Sequence, residues 1–126
     1  MNLRFEREVK IEVDDEILDG ELAIPHDAKG IVIFSHGSGS GRFSPRNRQV
    51  ADRLHNEQVG TLLLDLLTPS EDRISTNRFD IALLAHRLVG VTQWLEQFES
   101  ASDCPIAFFG ASTGAAADRA LGGPAP

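Results

Sequence analysis

The chain has 126 residues, of which 41% are hydrophobic and 25% charged. That is one domain's worth of sequence with an average globular balance, and it excludes a wholly disordered, collagen-like or coiled-coil chain. Twelve basic against nineteen acidic residues leave a net charge of −7, which disfavours nucleic acid as a partner. The longest apolar runs, such as Ile81 to Ala85, fall far short of the roughly 18 residues that span a bilayer. The opening MNLRFEREVK alternates charged with apolar residues and is no signal peptide. Cys104 is the one cysteine, so no internal disulfide forms; with no export signal, the expected compartment is the cytoplasm.

In chain order, the first third reads as β. Leu3 to Val13 alternates around Leu3, Phe5, Val9, Ile11 and Val13, with Arg7 filling an imperfect step. Asp14-Asp15-Glu16 is a polar turn and Ile17 to Ile24 a second strand, so the pair predicts an antiparallel hairpin. Pro25 ends it, and His26 to Lys29 is a loop. From Gly30 the pattern changes. Ile31-Val32-Ile33-Phe34 is a continuous apolar run, as in a strand covered on both faces. The glycine-rich loop His36-Gly37-Ser38-Gly39-Ser40-Gly41 follows. Ser44-Pro45 then opens a helix, with serine as N-cap and proline in the first turn. Val50, Ala51 and Leu54 give that helix its apolar face, and Gly60 lies past its end. Thr61 to Leu64 is the next buried strand, closing at Asp65.

Leu66 to Thr76 reads as an acidic loop containing Pro69. Ser75, Thr76 or Asn77 is the expected cap of the longest helix, whose stripe runs Ile81, Leu84, Leu88, Val91, Leu95 and Phe98. Ser100 to Asp103 is a polar break, Ile106 to Phe109 a third continuous apolar strand, and Thr113 to Leu121 a short alanine-rich helix. Gly122 to Pro126 is an irregular tail. The whole of 1–126 is thus one α/β domain. A hairpin (1–29) precedes a parallel β-α-β-α-β-α sheet (30–121) with right-handed crossovers, and the tail is 122–126.

The chemistry lies in Gly110-Ala111-Ser112-Thr113-Gly114, a G-x-S-x-G run between a predicted strand and a predicted helix, the setting of a nucleophile elbow. The turn lifts the Ser112 hydroxyl off the sheet end, and the Thr113 N–H at the helix start is placed to hold a developing oxyanion. A second donor is expected from the loop after the first parallel strand, from Gly37 or Ser38. If the three parallel strands lie in the order second-first-third, these loops face each other across a crevice of the kind where open α/β sheets bind ligands.

With the segment Ile31 to Gly39, the elbow, the strand end Leu62-Leu63-Leu64-Asp65 and the long helix, residues 30–121 resemble the N-terminal half of an α/β-hydrolase of the dienelactone-hydrolase-like group. The opening hairpin resembles that group's first strands. The resemblance implies a serine hydrolase acting on a small-molecule ester, thioester or lactone, with no metal and no cofactor. Dienelactone hydrolases carry cysteine at the elbow where this chain has Ser112. The group's triad runs nucleophile, acid, histidine. After Ser112 this sequence holds only Asp118 as an acid and no histidine, so a truncated or frameshifted coding sequence, and a weak or inactive site, are expected.

Other residues read more plainly. His36 shapes the oxyanion loop, His86 is a packing or surface residue, and His26 and His55 are solvated. Asp65 hydrogen-bonds locally, Asp118 is a surface acid, and Cys104 lies at the sheet end away from the crevice. Residues 42–53 carry Arg42, Arg46, Arg48 and Arg53 against Asp52, a solvated helix face or a rim for anionic substrates. The glycine-rich loop fits neither phosphate-binding pattern, since Arg42 stands where G-x-G-x-x-G requires glycine and no G-K-[ST] follows. The alternative to catalysis is a remnant that self-associates or binds a partner through an open strand edge at 106–109.

Overall fold

A computed structural model describes residues 3–36, 44–101 and 104–110. Two long strands come first, β1 (Leu3–Val13) and β2 (Glu16–Pro25). They pair antiparallel with Val13 opposite Glu16, so the connection is the two residues Asp14 and Asp15. Both have left-handed backbones, φ 50° and 66°, the conformation that matches strand twist in a two-residue hairpin. Aspartate tolerates it by bonding locally. Glu16, read from sequence as part of the turn, is instead the first residue of β2.

Three parallel-type strands complete the sheet: β3 (Ile31–His36), β4 (Gly60–Asp65) and β5 (Ile106–Gly110). The order across the sheet is β1-β2-β4-β3-β5. β3 pairs parallel with β4 on one side and β5 on the other, and β2 pairs antiparallel with β4. The parallel strands therefore lie in the order second-first-third, the condition under which the loops after β3 and β5 leave from adjacent strand ends.

Helix α1 (Pro45–Asn56) joins β3 to β4, and α3 (Ile81–Gln97) precedes β5. The crossover from β3 leads to one neighbour, and the next passes back to the other side. Right-handed connections then place the two helices on opposite faces. The larger core lies beneath α3, where Leu84, Leu88, Val91 and Leu95 meet Ile11, Leu18, Leu22, Ile33, Leu62 and Leu64, all fully buried. The smaller core lies beneath α1 and is built on Phe34, Ala51 and Leu63. Phe98 ends α3 with its ring 5.1 Å from Phe5 edge-on and 5.0 Å from Trp94, an arrangement aromatic rings favour.

Helix ends follow local chemistry. Ser44 caps α1 by accepting from the Asn47 N–H at 3.3 Å, with Pro45 in the first turn as expected. At the other end Val59 N–H bonds Leu54 C=O at 2.9 Å and Gln58 N–H bonds His55 C=O at 3.0 Å, the paired closure of a Schellman motif. Gln58 takes its left-handed position, φ 62°. Gly60 plays no part in that cap; it opens β4, where a Cβ would stand 3.1 Å from Ala23 C=O.

Three further expectations are corrected. The segment Leu66 to Thr76 is not a plain loop: it holds a short helix, α2 (Pro69–Asp72), and a 3-10 turn follows at Ser75–Phe79. The cap of α3 is Asp80, which accepts from Leu83 N–H at 3.1 Å, rather than Ser75, Thr76 or Asn77. The apolar stripe begins at Ile81, and the cap belongs to the residue just before it. Third, β5 is not covered on both faces among the described residues: Ile106 and Phe108 are half-buried, while Ala107 and Phe109 are exposed.

α3 and the hairpin approach each other closely at Gly90. A Cβ there would lie 2.5 Å from Val13 Cγ1 and 3.0 Å from Cγ2, and valine has little rotamer freedom with which to yield. In Gly90→Ala, overpacking of about 1–3 kcal/mol opposes a helix-propensity gain of about 1 kcal/mol. The expected outcome is a net loss in urea unfolding of about 1 kcal/mol. Combined with Val13→Ala, Gly90→Ala should cost less than it does alone; strict additivity would refute the contact.

Candidate active site

The register places the strand ends that matter side by side. Ser35 pairs with Gly110, Phe34 with Phe109 and His36 with Asp65. The carboxyl ends of β3 and β5 are thus adjacent, at the point where the crossover direction reverses, where open α/β sheets form their ligand crevice. Gly37 and Ser38 follow β3 directly, and Ser112 stands two positions beyond the end of β5. Ser112, Thr113, Gly37 and Ser38 themselves lie outside the described residues, as does the predicted helix 113–121. The Phe34 and Phe109 rings, 5.2 Å apart, line the base of this end of the sheet.

Beside it, the chain leaving β4 is held by an ion pair that sequence reading missed. Arg87 is 4% exposed. It grips Glu71 with two bonds, Nη1 to Oε1 at 2.8 Å and Nη2 to Oε2 at 2.6 Å, and Nη1 also donates to Leu66 C=O at 3.1 Å. Glu71 Oε1 accepts from Thr68 N–H at 2.9 Å, while Thr68 Oγ1 accepts from Glu71 N–H at 3.2 Å, a complete capping box. The signal was present as Thr68-Pro69-Ser70-Glu71, and in an arginine one turn from Leu84 on the apolar stripe.

The histidines divide. His86 is exposed and pairs with Asp14 of the hairpin turn, and His26 is exposed. His55 contradicts its reading as solvated. It is 8% exposed, and its Nε2 lies 2.7 Å from Oγ1 of the buried Thr61. It is enclosed because the last turn of α1 packs over the start of β4, which the polarity of the helix did not reveal. Burial pushes its imidazole below the usual range despite the nearby carboxylates of Asp52 and Glu6. Cys104 is partly buried just before the amino end of β5, away from the crevice as expected. Arg48, in the basic run, bonds Glu21 of β2 at 2.7 Å. Among the described residues no cluster of His, Cys, Asp and Glu could hold a metal ion, and no helix is long and apolar enough to cross a membrane.

Known proteins with this arrangement are hydrolases in fold. A crystal structure of dienelactone hydrolase from Anabaena variabilis is 49% identical with TM-score 0.82, over 90% of this chain and 54% of that one. Est1E from Butyrivibrio proteoclasticus (18% identical, TM-score 0.69, 87% of this chain and 42% of that one) shares the fold. So does the α/β hydrolase GrgF from a Penicillium species (19%, TM-score 0.75, 92% and 40%). Two curated Mycobacterium tuberculosis proteins, one from each of two strains, are 48% identical over 112 residues, 89% of this chain. Both carry a provisional phosphoribosyl transferase name. The chain spans about half the length of the solved dienelactone hydrolase and a quarter of the mycobacterial proteins. No family model matches it. The protein therefore has an α/β-hydrolase fold, and within that class its fold is of the dienelactone-hydrolase kind.

The Arg87 guanidinium, hydrogen-bonded to Glu71, holds that carboxyl down at about 2, against 4.5 in the free side chain. A depressed folded-state value contributes stability above the unfolded value and loses it as pH falls through the folded one. The difference corresponds to roughly 3 kcal/mol. The gap in unfolding free energy between wild type and Glu71→Gln should be constant above about pH 5 and shrink between pH 4.5 and 2. Denaturant titrations at several pH values read it, and a gap independent of pH would contradict the pairing.

Proposed function

We propose that the chain carries the nucleophile and oxyanion donors of a serine hydrolase acting on a small-molecule ester, thioester or lactone. The observation that carries this reading is the Ser35–Gly110 register. It brings together the carboxyl ends of β3 and β5, the strands that the glycine-rich segment and the G-x-S-x-G run follow in the sequence. In the proposed step the Ser112 hydroxyl oxygen attacks the acyl carbon while N–H groups of Thr113 and of Gly37 or Ser38 hold the carbonyl oxygen as it becomes negative. The leaving alcohol or thiol departs with a proton, and water later releases the acyl group. The 49% identity to a dienelactone hydrolase supports the chemistry, and Ser112 in place of cysteine argues for a different substrate.

Such triads place an acid and a histidine after the nucleophile, and here only Asp118 follows Ser112. Without a base the hydroxyl is a poor nucleophile, so the 126 residues alone are expected to be weak. Residual catalysis in triad-depleted enzymes comes from the oxyanion donors and binding. The phosphoribosyl transferase name carries less weight for this segment, because the segment is only a quarter of the proteins that bear it.

The second reading, self-association or partner binding through β5, is favoured by one observation. β5 is an edge strand among the described residues, and Phe109 on it is 43% exposed. Unpaired apolar edges recruit further strands.

Two measurements separate these readings. With an activated aryl ester, slow hydrolysis above background is expected and should vanish in Ser112→Ala; equal rates in both would refute the nucleophile. In size-exclusion chromatography with light scattering, the edge reading expects a dimer or larger species that Phe109→Lys returns toward monomer. A monomer at high concentration contradicts it.

A further inference from the structure

The two helices are held to the sheet by unlike faces. α3 buries Leu84, Leu88, Val91 and Leu95 together with Arg87. α1 buries Asn47, Ala51 and His55, a single stripe at four-residue spacing. Ala51 is its one apolar member, and a methyl group removes little surface from water. Val50 and Leu54 add partial cover beside it. The largest side chain of the stripe is His55, 8% exposed, with Nε2 2.7 Å from Oγ1 of Thr61, itself 1% exposed at the start of β4. One main anchor of α1 is therefore a ring of the type that changes charge between pH 5 and 8.

The groups around the ring fix the sign of its response. Asp52 of α1 stands 4.0 Å from His55 Nδ1 and is exposed, and Glu6 of β1 also favours a charged ring. Farther along the same side of the sheet, Arg48 of α1 bonds Glu21 of β2, and Arg7 and Glu8 of β1 lie beside them. β4 contributes the Thr61 hydroxyl and the apolar Leu63. The carboxyl end of a helix favours a cation as well. Burial outweighs these attractions and holds the imidazole below its free value of 6.5. When the last turns of α1 lift from β4, the ring meets water and regains that value. Above it both states are neutral and the contact is intact. As pH falls below it, the lifted state takes up the proton first, and the closed state loses ground until the folded value is reached.

We propose that the His55–Thr61 contact is an acid-sensitive latch, and that protonation of His55 releases the C-terminal turns of α1 from β4 while α3 and the sheet stay folded. The opening is local because the two helices rest on separate cores, and the smaller one lies beneath α1; elements with few buried apolar contacts open first. The crossover that α1 fills also carries Gly37 and Ser38. The latch would thus couple pH to the proposed oxyanion donors, a consequence that rests on the hydrolase reading, whereas the latch itself does not.

The test is amide hydrogen exchange of the intact chain, followed by NMR and corrected for intrinsic rates. From about pH 7.5 to 5.5 the opening constants of the Leu54, His55 and Val59 amides should rise at least about threefold, while those of Leu88 and Val91 in α3 stay constant. His55→Gln keeps a hydrogen-bonding side chain that does not titrate and should flatten the response. His86→Gln, at an exposed position on α3, should leave it in place. The wild-type ring gives a second reading that needs no variant: its carbon-bound protons should titrate below 6.5. A constant α1 opening, an equal rise in both helices, a response that survives His55→Gln or disappears in His86→Gln, or a His55 titration at or above 6.5 would each overturn the proposal. Ester hydrolysis plays no part in these readouts, so they are independent of the hydrolase reading.

Discussion

β3 is hydrogen-bonded on both sides in parallel register, to β4 and to β5, and the rest of the molecule is arranged around that constraint. Parallel neighbours cannot be joined by a tight turn, so each requires a crossover, and right-handedness sends the two crossovers to opposite faces. That is why α1 and α3 cover different sides of the sheet. It is also why Ile33 and Phe34, successive residues of one strand, are both fully buried, one in each core. The same reversal brings the strand ends before Gly37 and Ser112 together. The hairpin extends the sheet beyond β4 and gives α3 its partner surface, with Gly90 seated against Val13.

Buried polar chemistry marks the places where this frame is fixed most firmly. The Arg87–Glu71 pair is bidentate, is tied to Leu66 C=O and closes the capping box of Thr68. Every donor of the pair that faces inward has a partner, the condition under which a buried charge is tolerated. It anchors the chain leaving β4 next to the crevice. At the opposite end of β4, His55 and Thr61 tie α1 to the sheet. The two basic side chains that fold inward therefore differ in kind: a guanidinium bonded to a carboxylate and a carbonyl, and an imidazole bonded to a hydroxyl, whose pKa burial lowers.

Much of this was legible in the sequence because it rests on local signals. Continuous apolar runs gave β3 and β4, alternation gave the hairpin, and Ser44-Pro45 gave the start of α1. The strand order entered only as a condition, which the pairing of β3 between β4 and β5 meets. What was missed depends on partners distant in sequence. His55 sits on a polar helix, and only Thr61 on the facing strand explains its burial. Arg87 interrupts an apolar stripe, and its reason is a glutamate on a different element. Asp80 displaced three better-placed hydroxyl and amide caps because the start of the buried stripe, not intrinsic capping preference, sets the helix end. Ala107 and Phe109 are exposed on the one face of β5 that they share, and how much of a face is covered is a property no local run encodes.

The central claim is that the segments after β3 and β5 form one site around Ser112. The most direct measurement is a crystal structure of the chain with an aryl boronic acid, which forms a tetrahedral adduct with a serine hydroxyl. The account predicts boron bonded to Ser112 Oγ, with one boronate oxygen accepting from Thr113 N–H and from Gly37 or Ser38 N–H. Boron bonded elsewhere, or a Ser112 adduct whose oxygens meet neither segment's N–H groups, would contradict it.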